Sequence, residues 1–399
     1  MPGRFDGGRR EPARKPTSRR ISRRLVGRPG LVLGLTALIA CSPGATGAPS
    51  GSAGSEGSGA TGATSSASPA KPSGSATSGA ASLAPGTFRN PVIDDDFPDP
   101  FILHAGDGYY AYATTDGAQN LQLARSTNLV DWEALDDPLP TLPSWSSGDT
   151  WAPEVLETSA GFVLYYTAHD GALKRTDGNG SQCITLAVAS SPEGPFVDDS
   201  TEPLVCQQEL GGSIDATPFR DGDGSLYLIW KNDGNCCGMR TRFYIQPMSE
   251  DGLALTGTPA DLGVVNDEPW EGALIEAPTL VFDDGTYYLF FSANGYDTEF
   301  YAVGYATSKT VLGPYVDAPE NPILASAWDR PVTSRARGPG HQSVIASDDG
   351  GLWMAYHAWD EDAVGYGNFG QRSVWIDRLT LDGGKASVDG PTDEPQPIP

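Results

Sequence analysis

The amino-acid sequence predicts an all-β chain folded as a five-bladed β-propeller, on three observations. A hairpin signal occurs five times, each copy an apolar run, a turn carrying glycine and a second run rich in aromatic residues. The copies recur at a near-even period, and a third apolar run follows each. Periods of this size with several strands per unit are the mark of propeller blades.

Taken in order, the first copy runs from Asp99-Pro-Phe-Ile-Leu103 to Asp107-Gly-Tyr-Tyr-Ala-Tyr112, with Leu121–Ser126 as its third run. The second joins Trp151-Ala-Pro-Glu-Val-Leu156 to Gly161–Tyr166 and Ile184–Ser190. Asp215-Ala-Thr-Pro-Phe219, Asp223–Trp230 and Phe243–Gln246 make the third. The fourth is the clearest: Ile275 to Ala293 reads as strand, Asp284-Gly285 turn and aromatic strand, and Tyr301–Thr307 follows. His341–Ile345, Asp349–Tyr356 and Ser373–Asp377 complete the fifth. From leading residue to turn glycine the step is 9 in four copies and 10 from Trp151; successive leading residues lie 52, 64, 61 and 65 apart.

The first strand of a blade lines the central axis, so Asp99, Trp151, Asp215, Glu276 and His341 are expected to converge at one end. Any one of these acids alone has a plain explanation, because Asp and Glu at strand starts satisfy turn amides. Three at one blade position, with an indole and an imidazole, are costly to bury unless the pocket is used.

Residues 1–40 read as a leader outside this pattern. Its first thirty residues hold ten Lys or Arg, and Leu31–Ala40 is an apolar run too short to span a bilayer as a helix. Leu38-Ile39-Ala40-Cys41 resembles a lipobox, so Cys41 is the expected lipidation site, and the chain is expected to be exported as a cell-surface lipoprotein, or secreted. Residues 41–85, almost wholly Ser, Gly, Ala, Thr and Pro, read as a disordered tether. Residues 86–399 are the expected propeller domain. Without the leader, 16 basic side chains face 49 acidic ones, which excludes a nucleic-acid backbone as partner and leaves the lipid anchor as the expected membrane contact. The domain is expected to be a monomer. Cys183, Cys206, Cys236 and Cys237 allow three disulfide connectivities, and no zinc-type spacing or phosphate loop occurs.

Asp95-Asp-Phe-Pro-Asp-Pro100, Ser213-Ile-Asp-Ala-Thr-Pro-Phe219 and Ile275-Glu-Ala-Pro278 together resemble the three signatures of glycoside hydrolase family 43. Trp151-Ala-Pro-Glu154 and Gly338-Pro-Gly-His-Gln-Ser-Val344 resemble further motifs of that family. The resemblance covers about Asn90 to Pro391. It implies a five-bladed propeller that hydrolyses arabinan, arabinoxylan or xylan with inversion. Motif by motif, the general base falls on Asp99, the general acid on Glu276, and a carboxylate that tunes and orients the acid on Asp215. Inversion needs two carboxyl groups roughly 6.5–9.5 Å apart with a water between them, a span that non-adjacent blades can set.

The resemblance also places His341 near the axis, as a sugar contact or bound through water to a calcium ion; a packed histidine without metal is the alternative. No cofactor is needed for the chemistry. His104, His169 and His357 are expected to be structural. Trp151 and Trp270 are candidates for sugar stacking, and Arg372 for an arginine reaching the sugar, a plain ion pair being the alternative. The expected activity is an exo-acting α-L-arabinofuranosidase, because 399 residues leave no room for the C-terminal β-sandwich of many family β-xylosidases. β-Xylosidase and endo-α-1,5-arabinanase are the enzyme alternatives; a non-catalytic carbohydrate-binding propeller is the alternative of another class. The Asn235-Cys-Cys-Gly238 segment is expected at the pocket rim.

Overall fold

The computed structural model describes residues 83–326 and 333–399. The leader, Cys41 and all but the last three residues of the expected tether lie outside the described residues. Five antiparallel sheets follow one another along the chain. The first blade is Phe101–Ala105, Gly108–Ala113, Gln122–Ser126 and Trp132–Ala134. The second has three strands, Trp151–Thr158, Gly161–Lys174 and Gly180–Ala189. The third is Ser213–Arg220, Leu226–Asn232, Arg242–Pro247 and Ala260–Val265. The fourth comprises Ile275–Asp283, Thr286–Ala293, Ala302–Ser308 and Val316–Asp317, with Leu324–Ala325 also on its third strand. The fifth is Ala336–Ala346, Leu352–Asp360, Ser373–Asp382 and Lys385–Val388.

The apolar residues that alternate along these strands pack between blades, in clusters at all five blade junctions. Phe219, Ile229 and Phe243 of the third blade, for example, meet Leu289 and Phe291 of the fourth. The ring is fastened from its N-terminal end. Val92 donates its amide to Val374 O (2.8 Å), and the buried Asn90 side chain donates to Ile376 O and accepts from Ile376 N. Thr87–Phe88 pairs with Gln396–Pro397, tying the two ends of the domain together. Cys183 and Cys206 form a disulfide, whereas Cys236 and Cys237 are free thiols.

The innermost strands carry a feature that corrects the expected register. Near the pocket end of each stands a non-glycine residue in the left-handed region: Asp99 (φ 58°), Ala152 (44°), Asp215 (56°), Ala277 (54°) and His341 (51°). Ladder pairing is broken beside each of the last four. The equivalent positions are therefore these five, and Trp151 and Glu276 stand one residue earlier than Asp99, Asp215 and His341. The turn glycine misled the count: in the fourth blade Gly285 lies within the turn, whereas in the first Gly108 already pairs with Ala105.

Each left-handed residue leaves an amide off its ladder, and a side chain of the preceding blade accepts it. Asp99 N donates to His357 Nδ1 (3.1 Å), Ala152 N to Thr114 Oγ1 (2.9 Å) and Asp215 N to Thr167 Oγ1 (3.3 Å). Ala277 N donates to Asp215 Oδ2 (2.9 Å) and His341 N to Ser292 Oγ (2.7 Å). An unpaired buried amide would cost about 1–3 kcal/mol at each junction. Left-handed non-glycine residues of this kind cluster where backbone is held for function.

Candidate active site

At this end of the axis lies a pocket of about 470 Å³, lined among others by Asp99, Trp151, Asp215, Glu276, His341 and Arg372. Six of the seven expected pocket residues therefore meet. Trp270 does not. Only 9% exposed, it lies in the core between third and fourth blades and stacks on Phe291 with ring centroids 5.7 Å apart. Gly304 makes room for it, since a Cβ there would sit 2.6 Å from the indole. Trp270→Ala is expected to lower unfolding stability by roughly 3–5 kcal/mol in urea titration and to leave sugar binding unchanged. Wild-type stability with lost binding would return this indole to the pocket.

Asp99 is held by several partners at once. Its Oδ1 accepts from Arg372 Nη1 (3.0 Å) and lies 3.3 Å from His341 Nδ1, while Oδ2 accepts from Thr114 Oγ1 (2.5 Å). Burial by itself would raise its pKa; the Arg372 charge, then His341, and the Thr114 hydroxyl override that and hold the carboxyl well below its usual range. His357 was expected to be merely structural, yet it forms the floor of this group. Its Nδ1 accepts the Asp99 amide, and burial with the neighbouring Arg372 charge pushes its pKa far down, so the ring is neutral.

Arg372 itself is fixed on every side. Nε and Nη2 donate to Tyr366 Oη (3.1 and 2.9 Å), and its backbone amide donates to Asp96 Oδ1 (2.8 Å). The guanidinium lies 4.7 Å from the Tyr296 ring centroid and 5.3 Å from that of Tyr366. These tyrosines sit on loops of the fourth and fifth blades, which meet where Trp359 Nε1 donates to Tyr296 O (2.6 Å).

Glu276 has other company. Tyr301 Oη donates to its Oε1 (2.6 Å), and Lys231 Nζ lies 3.4 Å from Oε2. Asp215 is buried beside it; burial raises its pKa and the Glu276 charge adds to that, against His341, Lys231 and the Ala277 amide. Arg175 and the Gly234–Cys237 turn complete the wall, with Asn235 and Cys236 lining the pocket as expected for the rim. Asp233 in this wall is pushed up to about 6, mainly by burial. Lys231 and His357 had no sequence signal beyond lying on second strands, where alternation alone suggests core; Tyr301, just before a third strand, and Arg175, in the loop after Lys174, had none either.

The described side chains around His341 offer no direct ligand set for an ion. The Asp99 charge facing its Nδ1 is already met by Arg372, and among the described residues no three His, Cys, Asp or Glu side chains converge as a ligand set.

The pocket thus holds two carboxyl groups on non-adjacent blades, one within a cationic cluster and one between a phenol and an ammonium. The family model for glycosyl hydrolases family 43 matches residues 88–385. The chain belongs to glycosyl hydrolases family 43. This family 43 chain is 31% identical to a β-xylosidase of Bacillus subtilis (strain 168), over 67% of this chain and 49% of that protein. It is 27% identical to an extracellular endo-α-(1→5)-L-arabinanase of Thermotoga petrophila, over 74% of this chain and 64% of that one. It also resembles the crystal structure of a thermostable family-43 glycoside hydrolase, with TM-score 0.68 and 36% identity over 78% of this chain and 99% of that chain. The chain spans about half the length of the first curated relatives it matches. It has the five-bladed propeller of its family.

Proposed function

We propose that this chain is an inverting, exo-acting glycosidase that removes terminal α-L-arabinofuranosyl units from arabinan or arabinoxylan chains. The observation that carries this is the contrast between Asp99 and Glu276 across one pocket. Asp99, held as a carboxylate by Arg372 and its neighbours, is the base that takes a proton from water. Glu276 is the acid that protonates the leaving oxygen. Asp215 accepts the amide of Ala277, next in sequence to Glu276, and so orients the backbone that carries the acid. Trp151 offers an indole face to the sugar.

Exo action is supported by the walls: the Tyr296 and Tyr366 loops on one side, and Arg175 with the Gly234–Cys237 turn on another. β-D-Xylosidase is the second reading, favoured by the 31% relative of that name. The leader and Cys41, read as an export signal and anchor, suit an enzyme that meets polysaccharide outside the cell.

The deciding experiment compares an aryl α-L-arabinofuranoside, an aryl β-D-xyloside and linear arabinan. Single arabinose units from the first and third are expected. Preference for the xyloside would replace the sugar, and oligomers from arabinan would replace exo by endo action. Sugar binding with no hydrolysis of any of the three would leave a binding propeller.

A further inference from the structure

Five side chains stand opposite the residue that precedes each left-handed position: Thr114, Thr167, Lys231, Ser292 and His357. Four of them share one task, since Thr114, Thr167, Ser292 and His357 each accept the freed amide of the next blade. The third blade breaks the rule. Lys231 has three donors and no acceptor, so the Ala277 amide turns to Asp215 instead.

A threonine would serve the fold here, as it does in the first two blades. A fully buried ammonium (0% exposed) carries a desolvation penalty of several kcal/mol, and nothing in the backbone requires it. What it touches explains its presence. Nζ donates to Asn235 Oδ1 (3.0 Å) and lies 3.4 Å from Glu276 Oε2, with Asp215 and Asp233 also in its field. Tyr301 holds the other Glu276 oxygen.

We propose that Lys231 is a positioning residue for Glu276: with Tyr301 it fixes the carboxyl group and answers the negative charge that forms there during reaction. The inference rests on the acid role assigned to Glu276. In that step the Glu276 proton passes to the glycosidic oxygen, which keeps the electron pair of the breaking bond to the anomeric carbon. Water bonds to that carbon and gives its proton to Asp99. Glu276 becomes an anion at that moment, and a charge already in place in a buried site stabilises it without reorganisation.

The test is kcat/KM across aryl glycosides whose leaving phenols differ in acidity, for wild type, Lys231→Met, Asn235→Ala and Glu276→Ala. Lys231→Met is expected to lose about 10²-fold on the poorest leaving group and to stay within about threefold of wild type on the best, as for removal of one preorganised charge. Asn235 is exposed, so Asn235→Ala tests the same link without emptying the core; a smaller loss with the same trend is expected. A uniform loss across the series in Lys231→Met would overturn the proposal, leaving the lysine a packing role. If that variant does not fold, a flat profile in Asn235→Ala overturns it. Glu276→Ala separates the two readings: a flat profile there removes the acid role itself, while a steep one beside a flat Lys231→Met profile removes only the lysine's part.

Discussion

Asp99→Ala is expected to lower kcat on every glycoside by roughly 10²–10⁴-fold, the usual contribution of a general base, whatever the leaving group. The base acts on water, so a more acidic phenol cannot replace it. The surroundings of Asp99 also fix the sign of a pH effect. Arg372, His341 and the Thr114 hydroxyl hold its pKa below the ordinary carboxylate range, so the reactive anion persists as pH falls through that range. The acid limb of kcat/KM should therefore not lie at an ordinary aspartate value. Removing the guanidinium deletes the largest lowering influence, so Arg372→Met should move the limb to higher pH as well as weaken the enzyme. An acid limb at the same pH in both proteins would show that Asp99 is not the base it reports. The low pKa weakens Asp99 as a base in the Brønsted sense. Its carboxylate keeps lone-pair capacity beyond Arg372 and Thr114 for one water, and its fixed charge faces the cationic character that develops at the sugar.

The propeller was legible because its cause is local. Each hairpin pairs residues a few positions apart, and the aromatic second strands are what inter-blade packing requires. Asp99 and Asp215 were legible because they stand at repeated positions; the count from the turn glycine placed Glu276 one residue out of register, and the step of 10 at Trp151 already marked Ala152 as the equivalent position. A turn glycine marks a hairpin without fixing which residues close it. The supporting shell was not legible. Tyr301 reaches Glu276 from just before a third strand and His357 reaches Asp99 from the fifth blade, 258 residues away in sequence. Trp270 failed for a related reason: an indole beside Pro269 in a polar loop reads as exposed, and only the space over Gly304 makes it core. Lys231 sits in Leu-Tyr-Leu-Ile-Trp-Lys-Asn, where a strand-end lysine reads as a solvated tip. Its burial becomes visible only when the five blades are superposed and four acceptors are set against one ammonium.

Glu276→Ala is expected to divide substrates sharply by leaving group. On glycosides with an alkoxide leaving group, which must be protonated as it departs, the loss should be roughly 10²–10⁴-fold. On an aryl glycoside with a strongly acidic phenol the loss should be far smaller, because that oxygen leaves as an anion unaided. The contrast follows from where Glu276 sits. Its oxygens are taken by Tyr301 and Lys231, and the backbone beyond it is tied to Asp215, so the carboxyl keeps one orientation. Its blade is not adjacent to that of Asp99, which suits a proton donor on one face of the sugar and an activated water on the other. The measurement is the slope of log kcat/KM against leaving-phenol pKa, with the stereochemistry of the first product read by NMR. Inverted sugar and a steepened slope are expected. Equal losses across the series would take the acid role from Glu276, and retained configuration would require a nucleophile in place of a water-activating base.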